Sequence, residues 1–196
     1  MADAPATEPG SRGAPGGLRE RIMDAAVDLI VAYGYRRLRM RDVAEASGVS
    51  RQTLYNEFGD KWGLARALVL RDTELFLDEV DAALAAHDDL TAAVRAAVLY
   101  SLTSAAGHPL RKAVLTGAGA ELLPLLTTEA EPQLFAARTR LVDHVRAHWP
   151  AIPEAEVTAV VDAAVRLTMS HMMLPGEPPE VVAARIAAMV TRYLGV

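Results

Sequence analysis

The chain has 196 residues, 52% of them hydrophobic and only 5% aromatic, so the core material is largely Ala, Leu and Val, which suits packed helices. A formal charge of −5 excludes attraction of nucleic acid by bulk charge, and the absence of cysteine excludes disulfides and thiolate metal sites. No charge-free apolar run is long enough to span a membrane, so no membrane partner is expected, and the lack of cysteine agrees with a cytoplasmic protein.

Met1 to Gly17 is rich in Ala, Pro and Gly and has neither a basic start nor an apolar centre, so it does not read as a signal peptide. Residues 1–16 are expected to be a disordered tail. Leu18, Ile22, Ala25, Ala26, Leu29 and Ile30 then recur at three- and four-residue spacing and predict a first helix ending near Tyr33-Gly34. A second, short helix is expected from Arg41 to Ser47 and a third from Ser50 to Phe58. Val43, Ala44, Val49, Leu54 and Phe58 form their shared apolar side, and Gly48 sits at the turn between them. Ser50 is placed to cap the third helix. Arg51, Gln52, Tyr55 and Asn56 fall on its outer side, where they can reach phosphates and base edges in a major groove. This short segment argues for DNA where bulk charge does not. Residues 18–62 carry 8 Lys+Arg against 7 Asp+Glu, whereas residues 63–196 carry 11 against 16.

Gly59-Asp60 breaks the chain, and Lys61 opens a long fourth helix with an apolar face of Leu64, Leu68, Leu75, Phe76 and Val80, reaching about Ala86. Further helices are predicted over Leu90–Ala106, Leu110–Thr116, Glu131–Trp149, Glu154–Leu174 and Pro179–Leu194, with a broken piece around Pro124. No strand and no fixed-period repeat is predicted. Gly117-Ala118-Gly119 lacks the strand–turn–helix setting of a phosphate loop and reads as a helix break.

The segment Gly34-Tyr35, Val43-Ala44, Ser47-Gly48-Val49-Ser50, Thr53-Leu54-Tyr55, Phe58 and Lys61 resembles the DNA-binding domain of the TetR family of transcriptional regulators. The resemblance implies an all-α protein with a three-helix helix-turn-helix domain at residues 17–62 and a helical ligand-binding and dimerisation domain at 63–196. It implies that Ser50, Arg51, Gln52 and Thr53 enter the major groove, that Tyr55 and Asn56 touch bases and phosphates, and that Lys61 binds a phosphate. Two positions depart from the family pattern. Arg39 stands where a capping Thr or Ser is usual; it can bind phosphate together with Arg41, but it cannot cap. Glu57 stands where an aromatic or His often meets the backbone; phosphate repels it, which leaves it to orient an Arg or to accept from a cytosine amine.

The resemblance also implies a small-molecule pocket. Phe76, Val80, Tyr100, Thr103, Leu122, Leu126, Phe135, Met169 and Met173 are its candidate lining, with ordinary core packing as the alternative for each. The set is mostly apolar, which points to a small apolar effector such as a fatty acid or another hydrophobic compound. Tyr55-Asn56-Glu57-Phe58-Gly59 and Arg166-Leu167-Thr168-Met169-Ser170-His171 are also similar to regulators found near alkane- and lipid-metabolism genes. By the same resemblance, the helices at 154–174 and 179–194 join two chains as a four-helix bundle. Ala159, Ala163 and Ala164 would allow close approach, and Val160, Val161, Leu167, Val182, Ile186, Met189 and Val190 would supply apolar area.

His144 and His148 have a spacing that can serve a metal, but no third ligand is evident and Arg140 and Arg146 flank them, so an exposed helix face is the expected setting. His171 is either a satisfied buried histidine or part of a pocket or interface. No nucleophile elbow, P-loop or dinucleotide fingerprint occurs, so no enzymatic activity and no cofactor is expected. The combined expectation is a ligand-responsive repressor acting as a homodimer on a roughly palindromic double-stranded operator. A helical-bundle ligand carrier or enzyme that does not act on DNA is the competing reading.

Overall fold

The computed structural model describes residues 17–104, 108, 110–112 and 120–196. The expected tail, the Gly117-Ala118-Gly119 break and most of the helix placed at 110–116 lie outside these residues. The described chain is helical throughout, with no strand among the described residues. Its helices are α1 (Leu18–Tyr33), α2 (Met40–Ser47), α3 (Arg51–Phe58), α4 (Lys61–Ala85), α5 (Leu90–Thr103), α6 (Glu131–His148), α7 (Glu154–Met173) and α8 (Pro179–Leu194). Two 3-10 segments, Tyr35–Arg37 and Ala120–Leu126, complete the order; Pro124 inside the second explains why the apolar run there does not form a regular α-helix.

Local chemistry sets the boundaries of the first half. Gly48 ends α2 in the left-handed region at φ 68°, and Val49 N donates back to Ala44 O at 3.0 Å. Ser50 Oγ accepts from Thr53 N at 3.0 Å and caps α3. Asp60 does the same for α4, accepting from Gly63 N at 2.7 Å, and Asp89 for α5, accepting from Ala92 N at 2.8 Å. Arg39 occupies the cap position of α2 and makes no capping bond, as its side chain requires.

One apolar cluster holds α1–α3 on the start of α4. Ile22 and Ile30 of α1, Val43 of α2, Leu54 of α3 and Leu64 and Leu68 of α4 are each at most 1% exposed. Burying one such Leu or Ile stabilises by roughly 1.5–3 kcal/mol. Leu110, Leu122 and Leu125 join the same cluster from the second half of the chain. The 3-10 segment Ala120–Leu126 thus seats directly on the three-helix head.

Helix α4 runs 25 residues, roughly 37 Å at 1.5 Å per residue. Its buried face changes along its length. Leu64, Ala65, Leu68 and Val69 face the head, whereas Val80 and Leu84 face α5 and α6, and Leu77 lines the cavity between. The second set is rotated by roughly 120° around the axis at 3.6 residues per turn. Leu75 was expected on the apolar face and keeps the phase of the first set, so it is exposed; Leu77 takes the buried place. In the second half of the chain, α5 packs closely on α8, α6 on α7, and α7 on α8. No helix of the described residues is long and apolar enough to cross a membrane.

Candidate nucleic-acid interface and ligand cavity

Leu54 and Phe58 anchor α3 in the head, which turns the opposite side of the helix to solvent. Arg51, Gln52, Tyr55 and Asn56 are exposed there, and Tyr55 is an exposed large aromatic with no apolar cluster to join. Gln52 Nε2 donates to Asn56 Oδ1 at 2.8 Å, which holds the two amides side by side one turn apart. Ser50 Oγ and Thr53 Oγ1 lie 2.8 Å apart at the start of α3. Arg39 and Arg41 are exposed at the start of α2, with Arg41 Nε 3.0 Å from Asp42 Oδ1. Glu57 pairs with Arg19 of α1 at 2.5 Å, and that guanidinium also lies 4.7 Å from the Phe58 ring centroid. Of the two roles open to Glu57, holding an arginine is the one this geometry displays.

Lys61 begins α4 beside this surface. Its Nζ donates to Arg36 O at 3.2 Å and stands 4.3 Å from the Tyr35 ring centroid. Burial lowers the Lys61 pKa, opposed by the Glu121 carboxylate, and burial pushes the Tyr35 phenol up to about 12, helped by Asp60 and Glu121. Trp62 Nε1 donates to Glu129 Oε2 at 3.2 Å, a second tie between the α4 start and the other half of the chain.

A cavity of about 180 Å³ lies in the second half of the chain. Its walls include Val69, Phe76, Val80 and Leu84 of α4, Val94 and Ala97 of α5, Leu141 and Val145 of α6, Val157, Val160, Met169 and Met173 of α7, and Val190 of α8. Of the nine side chains expected to line it, Phe76, Val80, Leu126, Met169 and Met173 do. The other four sit elsewhere. Leu122, fully buried, packs in the head cluster. Phe135 is 60% exposed. Thr103 is exposed, its hydroxyl donating to Leu99 O at 2.8 Å. Tyr100 stacks behind Phe76 with ring centroids 6.1 Å apart and donates to Glu79.

Known proteins agree with both halves. The family model described as bacterial regulatory proteins, tetR family, matches residues 22–68, and that of the bacterial tetracyclin repressor C-terminal domain matches residues 89–192. The chain belongs to the TetR family. Among curated relatives, the HTH-type transcriptional regulator AlkX of Mycobacterium tuberculosis is 34% identical over 178 residues, covering 90% of this chain and 84% of that protein. Among solved structures, the TetR family repressor AlkX from Dietzia sp., implicated in biodegradation of n-alkanes, matches with a TM-score of 0.75 and 31% identity, over 89% of this chain and 96% of that one. The TetR-family repressor QsdR of R. erythropolis shares the fold, with a TM-score of 0.64 and 18% identity over 91% and 95% of the two chains. The protein is therefore a TetR-family transcriptional regulator with a helix-turn-helix DNA-binding domain, and not an enzyme.

Within this TetR-family chain the histidine pair differs from its expected setting. His144 does not lie on an open helix face; its side chain is 10% exposed, with Nδ1 3.5 Å from Asp81 Oδ1. Its ring stacks on exposed His148 at 4.2 Å between centroids. Among the described residues no group of three or more His, Cys, Asp or Glu could hold a metal ion. Burial holds the His144 pKa below its ordinary value, His148 acts in the same direction, and Asp81 opposes both. An unfolded imidazole titrates near about 6.5. Below that pH the unfolded chain binds a proton that the folded chain does not, so stability falls as pH drops from about 6.5 towards the lowered folded value. In His144→Phe, urea-unfolding midpoints should therefore depend less on pH between about 7 and 5 than in the wild type. An unchanged pH slope would remove His144 as the source.

The polar residues of the cavity wall were missed in the sequence. Asp72 lies one turn from both Leu68 and Phe76, so a carboxylate interrupts an i, i+4 apolar row, and that interruption was the available signal. Arg111 and Gln133, both buried, carry no such pattern.

Proposed function

We propose that the chain is a ligand-responsive repressor that binds a roughly palindromic operator as a homodimer and is released by a small apolar effector held in the cavity. The observation that carries this reading is a shared wall. Val69, Leu110 and Leu126 line the cavity and also pack in the head cluster, so a ligand that reshapes the cavity presses on the core beneath the helix-turn-helix. The link of the Dietzia relative to n-alkane biodegradation supports an effector with an aliphatic chain.

On this reading Arg39, Arg41, Ser50, Arg51, Gln52, Thr53, Tyr55, Asn56 and Lys61 contact DNA, and the cytoplasm is the site of action. In the free protein Lys61 lies folded over Tyr35, within reach of a phosphate arriving at the α4 start. Residues 154–174 and 179–194 form the dimer surface. Val160, Val182, Ile186 and Val190 already pack within the protomer. The face left for a partner is exposed Ala159, Ala163 and Leu167 of α7 with Val181 and Ala184 of α8.

A gel shift with the DNA upstream of the gene tests the repressor reading; no salt-sensitive, sequence-dependent shift would refute it. Tyr55→Ala should weaken operator binding by about 10- to 100-fold with helicity and dimer size unchanged, since Tyr55 has no place in the core. Lys61→Ala should lower the log–log salt slope by about 0.9 for each half-site. Unchanged affinity in the first variant, or an unchanged slope in the second, removes that residue from the interface.

A further inference from the structure

The cavity wall is mostly apolar, and its charged and amide side chains are Asp72, Arg111 and Gln133. Hydroxyls in the wall are already engaged with their own helices. Thr73 Oγ1 donates to Val69 O at 2.9 Å, Ser101 Oγ to Ala97 O at 2.8 Å and Thr168 Oγ1 to Ala164 O at 2.8 Å. Arg111 is 6% exposed; its Nε donates to Asp72 Oδ2 at 3.1 Å, its Nη1 to Ser104 Oγ at 3.4 Å, and its guanidinium lies 4.7 Å from the Phe76 ring centroid. Its Nη2 is buried with no hydrogen-bond partner. Gln133 is 5% exposed, and its Oε1 is likewise buried without a partner. Buried polar atoms are almost always paired, and one left unpaired costs its full desolvation. The residues lining the cavity therefore carry one unused donor and one unused acceptor.

From these two orphaned atoms we infer that the cavity binds an aliphatic alcohol, whose hydroxyl accepts from Arg111 Nη2 and donates to Gln133 Oε1 while its chain lies along Phe76, Val80 and Met169. The inference rests on the reading of this cavity as the effector site. A hydroxyl is the smallest head that satisfies both atoms. A carboxylate has no proton for Gln133 Oε1. It would also enter beside Asp72, which already neutralises the Arg111 cation, and so would bring an uncompensated charge into a buried place. An alkane leaves both atoms unpaired. Aldehydes, ketones and esters accept from Arg111 but leave Gln133 Oε1 bare. At about 180 Å³ the cavity is below the ~300–1,000 Å³ of sites for drug-sized ligands, which favours a slender chain over a ring system.

The test uses the full chain with 1-octanol, octanoate and octane at pH 7.5. Calorimetric titration gives the two polar affinities, and the rise of the unfolding midpoint ranks all three ligands. Octanol should bind at least about tenfold more tightly than octanoate, and Gln133→Met should cost octanol about tenfold while leaving the octane midpoint shift unchanged. Octanoate binding as tightly as octanol, or octanol binding unaltered in folded Gln133→Met, overturns the inference. If Gln133→Met does not fold, the octanol–octanoate ranking on the wild type decides alone. Absence of binding by all three overturns both the inference and the effector reading. Octanol that binds as stated but leaves the operator complex intact refutes the effector reading alone. Operator release by octane and octanol at equal occupancy, with no effect of Gln133→Met, refutes the hydroxyl site alone.

Discussion

Gly63→Ala is expected to lower the unfolding midpoint by roughly 5–15 °C and to abolish measurable operator binding. Gly63 sits in the first turn of α4, where Gly59 and Asp60 fold that helix back against the end of α3. A Cβ on Gly63 would stand 1.9 Å from the Phe58 carbonyl oxygen and 3.2 Å from its carbon. The obstacle is backbone, so no rotamer change relieves it, and α3 must move away from α4 by more than about 1 Å to reach ordinary contact. That movement breaks the Asp60 bond to Gly63 N, which is worth about 1 kcal/mol as a cap, and adds overpacking of about 1–3 kcal/mol. It also shifts Lys61 and tilts the face carrying Arg51 and Tyr55, so DNA binding suffers beyond the loss of stability. Gly176→Ala is the control, since a Cβ there meets nothing within 4 Å and should leave both readouts unchanged. A Gly63→Ala protein that melts and shifts operator DNA like the wild type would show that the α3–α4 turn re-forms at no cost.

This contact also shows where sequence reading reaches and where it stops. Gly48, Ser50 and the apolar side of Val43, Leu54 and Phe58 act over a few residues, and their turn, cap and burial follow from residue type and spacing alone. The close approach of Gly63 to Phe58 depends on how two helices fold across Gly59-Asp60, and nothing in the spacing reports it. Leu75 and Leu122 differ from expectation for related reasons. The buried face of α4 turns as its neighbours change, and Leu122 of the Pro124 segment packs on the head while Leu126 of the same segment reaches the cavity. Of the cavity, the apolar face of α4 around Phe76 and Val80 was legible, as were the α7 methionines. Arg111 and Gln133 come to its wall from segments that only the tertiary fold brings together.

Leu167→Glu is expected to convert the dimer to a monomer at micromolar concentration and to weaken operator binding by about 10²–10⁴-fold. Leu167 is 39% exposed on α7, in line with exposed Ala163 and Ala159 one and two turns earlier. Small residues at that spacing let a second helix approach closely, and a large apolar neighbour then fills the gap. A glutamate there loses its water on assembly. That cost, several kcal/mol, exceeds what one Leu contributes and corresponds to at least about a hundredfold in dimer affinity. Leu167 belongs to none of the buried clusters of the protomer, so helicity should stay within a few per cent of the wild type. Leu167→Ala separates the two effects, since it removes apolar area without adding charge and should leave the dimer weakened but present at micromolar concentration. The loss on DNA follows from geometry rather than from any contact of Leu167 with the operator. A monomer presents one α3 to one major groove and forfeits the effective concentration that links two half-sites. A reduced log–log salt slope should accompany the loss, because half of the phosphate contacts disappear with the partner. A Leu167→Glu protein that scatters light as a dimer and holds the operator normally would move the dimer surface off this face.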